Sequence, residues 1–147
     1  MAGIGFLLNG KSVTSMARPT TRVSDVLRSD FGLTGTKVGC NAGDCGACTI
    51  LLDDEPVCSC LVALGQIDGQ SVTSVEGLHK SDVIAKLQQS FLAHGAAQCG
   101  ICTPGMLVSS AHLLAANHQP NRAEVEDALG GVLCRCTGYN KIIDAVM

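Results

Sequence analysis

Apolar residues in the first half of the chain form short runs separated by turn signals. Residues 4–8 and 13–16 are two such runs, and the Asn9-Gly10 dipeptide between them predicts a β-hairpin. Valine and leucine at helical spacing over residues 23–27 predict a short helix. Further β-like runs lie at residues 49–52, 57–63 and 72–75. This half is therefore predicted to be mixed α and β.

A helix cap and an acidic turn refine the prediction for this half. Thr21 or Ser24 offers a hydroxyl group that is expected to cap the short helix. Residues 53–56, Asp-Asp-Glu-Pro, predict a turn between two strands. We interpret this acidic run as a solvated turn, because such a run before a proline is typical of a surface loop. It is not expected to act as a carboxylate pair in acid-base catalysis.

From about residue 77 the apolar residues recur at helical intervals instead. Thr103 is expected to be the N-cap of one helix, with Pro104 at its first helical position. Asn121 and Glu124 form a capping-box pair for another helix. The predicted helices lie around residues 83–92, 103–117, 121–129 and 142–146. We therefore expect an α+β protein with one domain over residues 1–77 and a helical domain over residues 78–147.

Composition narrows the class of protein. With 46% hydrophobic and only 16% charged residues and a mean hydropathy of +0.30, the chain is apolar enough to predict surface buried against partner subunits. A net charge of −3 and 3% aromatic residues argue against nucleic acid as a partner. No apolar run approaches the roughly 20 residues that span a bilayer, and no secretory signal is recognised at the N-terminus. We expect a soluble cytoplasmic protein with no membrane span.

Candidate chemistry lies in the cysteines, eight of which fall into two sets of four. The first set follows the spacing C-x4-C-x2-C with a later fourth cysteine, which is typical of a plant-type [2Fe-2S] cluster. Its members are Cys40, Cys45, Cys48 and either Cys58 or Cys60, between which spacing alone does not decide. Glycines in the loop allow the backbone N–H groups to approach the sulfur atoms. The alternative, a structural zinc site, usually pairs two close cysteine knuckles, and a lone fourth cysteine fits that pattern poorly.

The second set is less diagnostic on spacing alone. It consists of two close pairs, Cys99 with Cys102 and Cys134 with Cys136. Such pairs are also typical of a zinc site, so zinc and an iron–sulfur cluster are almost equally favoured here. A thioredoxin-like redox pair is disfavoured, because the C-x-x-C lies between two helical patterns rather than after a strand.

Both sets in this order resemble the iron–sulfur small subunit of the molybdenum hydroxylases, the xanthine dehydrogenase family. The resemblance is carried by Gly39-Cys40-x4-Cys45-Gly46-x-Cys48, Ser59-Cys60, Gln98-Cys99-Gly100-x-Cys102-Thr103-Pro104-Gly105 and Cys134-Arg135-Cys136-Thr137-Gly138-Tyr139. It implies a β-grasp ferredoxin-like N-terminal domain and a C-terminal four-helix bundle, each with one [2Fe-2S] cluster. It also implies that Cys60, rather than Cys58, is the fourth ligand of the first set, which leaves Cys58 as the spare cysteine.

The resemblance further implies partners and a route for electrons. A large subunit would hold molybdopterin, often as the cytosine dinucleotide, and a medium subunit would hold FAD, in a heterotrimer or a dimer of heterotrimers. Electrons would pass from molybdenum through the helical domain and then the ferredoxin-like domain to the flavin or another acceptor. Gln98 and Cys136 would lie beside the pterin. The substrate would be a small molecule such as an N-heterocycle or an aldehyde, with no substrate-converting residue in this chain.

Two further classes of function are compatible with the cysteines. A free-standing ferredoxin-like carrier would need only the first set, and the helical second half argues against it. A zinc-stabilised interaction module is disfavoured by the glycine-rich loop. The electron-transfer subunit is the expectation that accounts for both halves of the chain.

Overall fold

The computed structural model describes residues 3–147, apart from the side chains of His79 and Lys80. A five-stranded sheet forms the first half, with the strands β1 (Ile4–Leu8), β2 (Lys11–Ser15), β3 (Thr49–Leu52), β4 (Glu55–Cys58) and β5 (Ser71–Thr73). The strand order is β2-β1-β5-β3-β4. β1 pairs antiparallel with β2 and parallel with β5, while β3 pairs antiparallel with β4 and β5.

The predicted hairpin is confirmed. Asn9 and Gly10 have φ angles of 52° and 80°, so both turn residues adopt the left-handed conformation that a two-residue hairpin turn requires. The sheet packs on helix α1 (Val23–Ser29), and the fully buried Leu27, Ile50 and Leu64 belong to the core between them. A sheet of mixed direction folded against one helix is the expected ferredoxin-like architecture.

The expected hydroxyl cap of α1 is wrong. Arg22 occupies the N-cap position, and within the described chain its side chain makes no capping hydrogen bond. Ser24 lies inside the helix, fully buried. The helix start is held by a distant segment instead, since the N–H of Val23 donates to the carbonyl of Val62 at 2.9 Å. A tertiary contact therefore takes the place of the local cap.

The turn between β3 and β4 is shorter than expected. Asp53 and Asp54 have φ angles of 48° and 69° and form the turn by themselves, while Glu55 and Pro56 already belong to β4. Proline is tolerated there because β4 is an edge strand, where its missing N–H breaks no ladder hydrogen bond. β4 ends at Cys58, so the predicted continuation of the strand to residue 63 is wrong.

Four helices form the second half, as expected: α2 (Asp82–His94), α3 (Thr103–Ala116), α4 (Arg122–Leu129) and α5 (Asn140–Val146). The capping box of α4 is confirmed, with Asn121 Oδ1 accepting from the N–H of Glu124 at 3.1 Å and Glu124 Oε2 accepting from the N–H of Asn121 at 2.7 Å. Thr103 is the first helical residue rather than the N-cap, a position that Cys102 takes. Across residues 3–147, no helix is both long and apolar enough to cross a bilayer.

Strand β3 connects the cores of the two halves. Ile50 is buried in the first core, whereas Leu51, the next residue, is buried in the helical core that also contains Met106 and Val108 of α3. Successive side chains of a strand point to opposite faces, so one strand contributes to both cores. The sheet and the helices therefore pack directly on each other.

Leu51→Ala is expected to destabilise this junction. Truncating a buried leucine removes about 2–5 kcal/mol from the free energy of unfolding, because it leaves a cavity between β3 and α3. The measurement is the urea midpoint of the metal-loaded chain, with Leu7→Ala as the control, since Leu7 is 44% exposed on β1. Equal midpoints for the two variants would contradict a packed junction.

Candidate metal centres

The loop between α1 and β3 brings the first cysteine set together. Cys40 lies close to Cys45, and Cys48 lies close to Cys60 and also to Cys58. Cys60 reaches this loop from the turn that follows β4. The four expected thiols therefore lie as two neighbouring pairs, with Cys58 beside the second pair.

Backbone N–H groups converge on the exposed member of this set. The Sγ atom of Cys40 accepts from the N–H groups of Ala42, Asp44 and Cys45 at 3.3, 3.3 and 3.4 Å. These donors, those of Cys45 and Ala42 foremost, lower the pKa of Cys40 to about 6. Three aligned donors at one sulfur form an anion-binding nest, which favours the thiolate that a metal requires.

Cys48 and Cys60 lie at the buried side of the loop, each 2% exposed. The hydroxyl group of Ser59 donates to the carbonyl of Cys48 at 2.7 Å and ties the two segments together. Burial, with the neighbouring Cys48, raises the pKa of Cys60 to about 11 in the metal-free chain. A bound metal would have to displace that proton, so metal binding and folding of this segment are coupled.

Cys58 brings a fifth thiol to the first site. It ends β4 opposite Thr49, and its thiol donates to the carbonyl of Gly43 at 3.8 Å. Burial and the proximity of Cys48 raise its pKa. The half-buried Cys58 thus keeps its proton on a backbone carbonyl, and both Cys58 and the buried Cys60 lie close to Cys48.

The second cysteine set also forms two pairs. The Sγ atoms of Cys136 and Cys99 are 3.5 Å apart, and the thiols of Cys102 and Cys134 are joined by a hydrogen bond. Cys99 and Cys136 are exposed, while Cys102 and Cys134 are buried at the start of α3 and before α5. Burial, and to a smaller extent the neighbouring Cys134, raises the pKa of Cys102 to about 12. A hydrogen bond from the backbone N–H of Ile101 lowers the pKa of Cys99.

Thr137 and Tyr139 surround Cys134, and sequence reasoning assigned neither of them a role. Thr137 Oγ1 lies 3.1 Å from Cys134 Sγ, and the Tyr139 hydroxyl accepts from the N–H of Cys134 at 2.9 Å. Burial opposes ionisation of Cys134, but hydrogen bonds from the Thr137 hydroxyl and N–H, from the N–H of Cys136 and from Cys102 together lower its pKa. The sequence did offer a signal for these contacts, because Thr137 and Tyr139 closely follow the pair Cys134 and Cys136.

The two sites are in direct contact through backbone. The N–H of Leu133, next to Cys134, donates to the carbonyl of Cys45 at 2.8 Å. A Cβ atom at Gly105 would lie 2.6 Å from the carbonyl oxygen of Gly46, so α3 approaches the first loop as closely as a glycine permits. One hydrogen bond thus links Cys45 of the first set to Leu133, the sequence neighbour of Cys134 in the second set.

Gln98 and Cys136, both expected beside the pterin, lie close to each other. Gln98 Nε2 donates to the carbonyl of Cys136 at 3.3 Å, and both residues are exposed. Ile101 and Leu133 expose 48% and 55% of their surface beside this second site. The exposed end of the site therefore combines two thiols, an amide and two apolar side chains.

Within residues 3–147, no three histidine, cysteine or carboxylate side chains converge closely enough to hold a single metal ion. A [2Fe-2S] cluster takes two thiolates on each iron and needs no convergence of three side chains on one point.

Comparison with protein families gives two matches. Residues 6–78 match the 2Fe-2S iron-sulfur cluster binding domain, and residues 74–147 match the [2Fe-2S] binding domain. Together these matches span the sheet and the helical half.

Individual relatives agree with the family matches. The nicotinate dehydrogenase small FeS subunit of Eubacterium barkeri is 45% identical over 97% of this chain and 91% of the relative. The nicotine 6-hydroxylase small subunit of Paenarthrobacter nicotinovorans is 47% identical over 95% of this chain and 84% of the relative. A chain of quinoline 2-oxidoreductase from Pseudomonas putida 86 superposes with a TM-score of 0.92 at 46% identity, covering 99% of this chain and 90% of that one.

Gly46→Ala is expected to disrupt the first site. Gly46 has a φ angle of 68°, and a Cβ there would collide with the carbonyl of Gly131. We expect iron to fall from about four to about two atoms per chain, since two clusters of two irons would become one. Iron and acid-labile sulfide are measured after anaerobic reconstitution.

Gly69→Ala is the matched control for this substitution. Gly69 has a similar φ angle of 74°, but a Cβ there meets no described atom within 4 Å. The left-handed strain, roughly 1–2 kcal/mol, is the same in both variants, so a difference in iron content reports the collision alone. Equal iron loss in both variants would contradict the close approach.

Proposed function

The chain belongs to the iron–sulfur small subunits of the molybdenum hydroxylases, and on that premise we propose that it relays electrons between a molybdopterin large subunit and an FAD medium subunit. The relay would use two [2Fe-2S] clusters. The proposed ligands are Cys40, Cys45, Cys48 and Cys60 for the first cluster and Cys99, Cys102, Cys134 and Cys136 for the second. The observation that carries this proposal is the arrangement of each set as two thiol pairs, which supplies two thiolates to each iron.

The residues around the thiols suit such a group. When bound, a [2Fe-2S] cluster supplies one-electron chemistry, and its negative charge requires hydrogen-bond donors nearby. The N–H groups at Cys40 meet that requirement at the first site, and the Thr137 hydroxyl and the N–H of Ile101 contribute at the second. Buried Cys60 and Cys102 exclude water from the inner side of each site.

The relative placement of the sites supports a relay within one chain. The hydrogen bond from Leu133 to Cys45 keeps the two sites adjacent, because it joins the first loop to the segment that carries Cys134. Each site also has an exposed thiol, Cys40 in the first and Cys99 in the second. The family resemblance gives the proposed direction, in which electrons would enter at the helical domain (78–147) and leave from the ferredoxin-like domain (1–77).

The exposed end of the second site suits a partner subunit. Gln98 and Cys136 would lie beside the pterin of the large subunit, which we propose to be the cytosine dinucleotide form. The apolar surface of Ile101 and Leu133 would be covered by that subunit, in a heterotrimer or a dimer of heterotrimers. A cytoplasmic location is part of the proposal, since the nine free cysteines suit a reducing compartment.

An N-heterocycle is the proposed substrate class of the complex. Nicotinate, nicotine and quinoline, which appear in the names of three similar proteins, all contain a ring nitrogen. We favour this class over an aldehyde for that reason. The residues that bind the substrate would belong to the large subunit.

Cys60→Ser and Cys58→Ser are expected to differ sharply in whether they retain the first cluster. Loss of the Cys60 thiolate would remove or alter the first cluster, because an alkoxide is a harder and more basic ligand than a thiolate. Cys58→Ser would keep both clusters, since the Cys58 proton lies on the carbonyl of Gly43. The measurement is iron and sulfide content with low-temperature EPR of the dithionite-reduced chain. Loss of the first signal in Cys58→Ser but not in Cys60→Ser would reverse the assignment.

Ile101→Asp combined with Leu133→Asp is expected to weaken binding of the large subunit at least tenfold. Two carboxylates would be buried in an apolar contact, which carries a large desolvation penalty. Met16→Asp is the control, because Met16 is 69% exposed but follows β2, in the ferredoxin-like half. Co-purification with the co-expressed large and medium subunits is the assay. A wild-type chain that stays monomeric beside them would favour a free-standing carrier instead.

A further inference from the structure

We propose that Thr137 is a positioning residue that sets the reduction potential of the second cluster by donating a hydrogen bond to the sulfur of Cys134. The inference rests on the proposed function in one respect, since Cys134 is taken as a ligand. The geometry consists of three hydrogen bonds that close a ring around this cysteine. Its members are Cys134, Thr137 and Tyr139.

The direction of each hydrogen bond is fixed by its partners. The N–H of Tyr139 donates to Thr137 Oγ1 at 3.2 Å, so this oxygen already acts as an acceptor. The Thr137 proton is then free to point at Cys134 Sγ, 3.1 Å away. A ligating thiolate carries no proton, so Thr137 is the donor of this bond. The ring closes through the N–H of Cys134, which donates to the Tyr139 hydroxyl at 2.9 Å.

The backbone is bent to make this ring. Gly138 and Tyr139 have φ angles of 66° and 68°, and the second value is uncommon for a residue with a side chain. Left-handed strain persists only where surrounding contacts hold it. Here the N–H groups of Ile142 and Ile143 both donate to the Tyr139 carbonyl at 2.9 Å, so the strained residue also starts α5. Helix, turn and thiol are held as one unit.

Burial makes the Thr137 hydrogen bond effective. Cys134 is 8% exposed, so the bond acts where water screens little. Reduction adds negative charge to a cluster and its sulfur ligands, and a donor at a sulfur stabilises that charge. The Thr137 hydroxyl therefore raises the potential of the second cluster, which makes this site a better electron acceptor.

Thr137→Val tests this role, because valine has nearly the same shape without the hydroxyl. At a fixed solution potential, the ratio of reduced to oxidised second cluster is expected to fall at least threefold, which corresponds to about 28 mV at 59 mV per tenfold for one electron. Redox titration followed by EPR on the full, anaerobically reconstituted chain measures it. The second cluster's signal is identified as the one that Cys60→Ser retains. The first cluster is expected to keep its potential.

Two variants control for structural effects. Thr137→Ser keeps the hydroxyl and is expected to restore the wild-type potential. Thr103→Val removes a hydroxyl from the residue after Cys102, and Thr103 Oγ1 is buried without a hydrogen-bond partner among the described residues. That variant is expected to leave the potential unchanged. If the threonine acted only through packing, Thr137→Val and Thr103→Val would shift the potential of the second cluster by the same amount.

Tyr139→Phe tests the ring itself. It removes the acceptor of the Cys134 N–H, so the segment between Cys134 and α5 loses one of its three bonds. Severalfold faster release of iron from the second site to a chelator is expected, followed by loss of that site's EPR signal. A release rate equal to that of the wild type would contradict the ring.

The remaining outcomes also decide the proposal. An unchanged potential in Thr137→Val, or an equal fall in Thr137→Ser, would overturn it. If Thr137→Val does not retain the cluster, Thr137→Ala is compared with Thr137→Ser, and loss in both would likewise overturn the role of the hydroxyl. A wild-type chain without a second EPR signal would instead overturn the proposed function, which keeps the two failures distinct.

Discussion

The rest of this structure depends on a contact made by backbone alone. Gly46 of the first loop lies against the carbonyl of Gly131, and Gly105 of α3 lies against the carbonyl of Gly46, at distances that leave no room for a Cβ atom. Because side chains are absent there, the Leu133 N–H reaches the Cys45 carbonyl. A side chain at Gly46 or Gly105 would collide with the opposing backbone and push the two sites apart. Gly46 and Gly105 therefore keep the two sites close together, in addition to letting the backbone follow its path there.

A gradient of exposure follows from this contact. The thiols that face the junction or the cores, Cys48, Cys60, Cys102 and Cys134, are buried, whereas Cys40, Cys99 and Cys136 are exposed. Burial strengthens hydrogen bonds to the inner thiols and keeps water away from them. Exposure leaves the outer thiols within reach of other proteins. Each set thus combines buried thiols with at least one exposed thiol.

Local signals in the sequence were read correctly where the local segment alone decides the structure. The Asn9-Gly10 turn and the Asn121–Glu124 capping box depend on neighbours within a few residues, and both are observed. The cap of α1 was misjudged because a distant contact decides it, since Val62 holds the start of that helix. The end of β4 was misjudged because a turn, in which the N–H of Leu61 donates to the carbonyl of Cys58 at 3.0 Å, stops the strand within the apolar run. Cysteine spacing indicated two sets, but spacing does not show which thiols within a set lie close to each other, which only the folded structure decides.

The same distinction separates the cysteines from the groups that adjust them. Soft ligands can be recognised by residue type, because few other side chains hold iron and sulfur. Hydroxyl groups cannot, since threonine occurs throughout the chain, and Thr103 and Thr137 each lie close behind a cysteine of the second set. In the left-handed turn at Gly138 and Tyr139, the N–H of Tyr139 donates to the Thr137 hydroxyl oxygen, which lies 3.1 Å from Cys134 Sγ, whereas the Thr103 hydroxyl has no partner among the described residues. Backbone conformation, rather than residue type, therefore decides which hydroxyl acts on a sulfur.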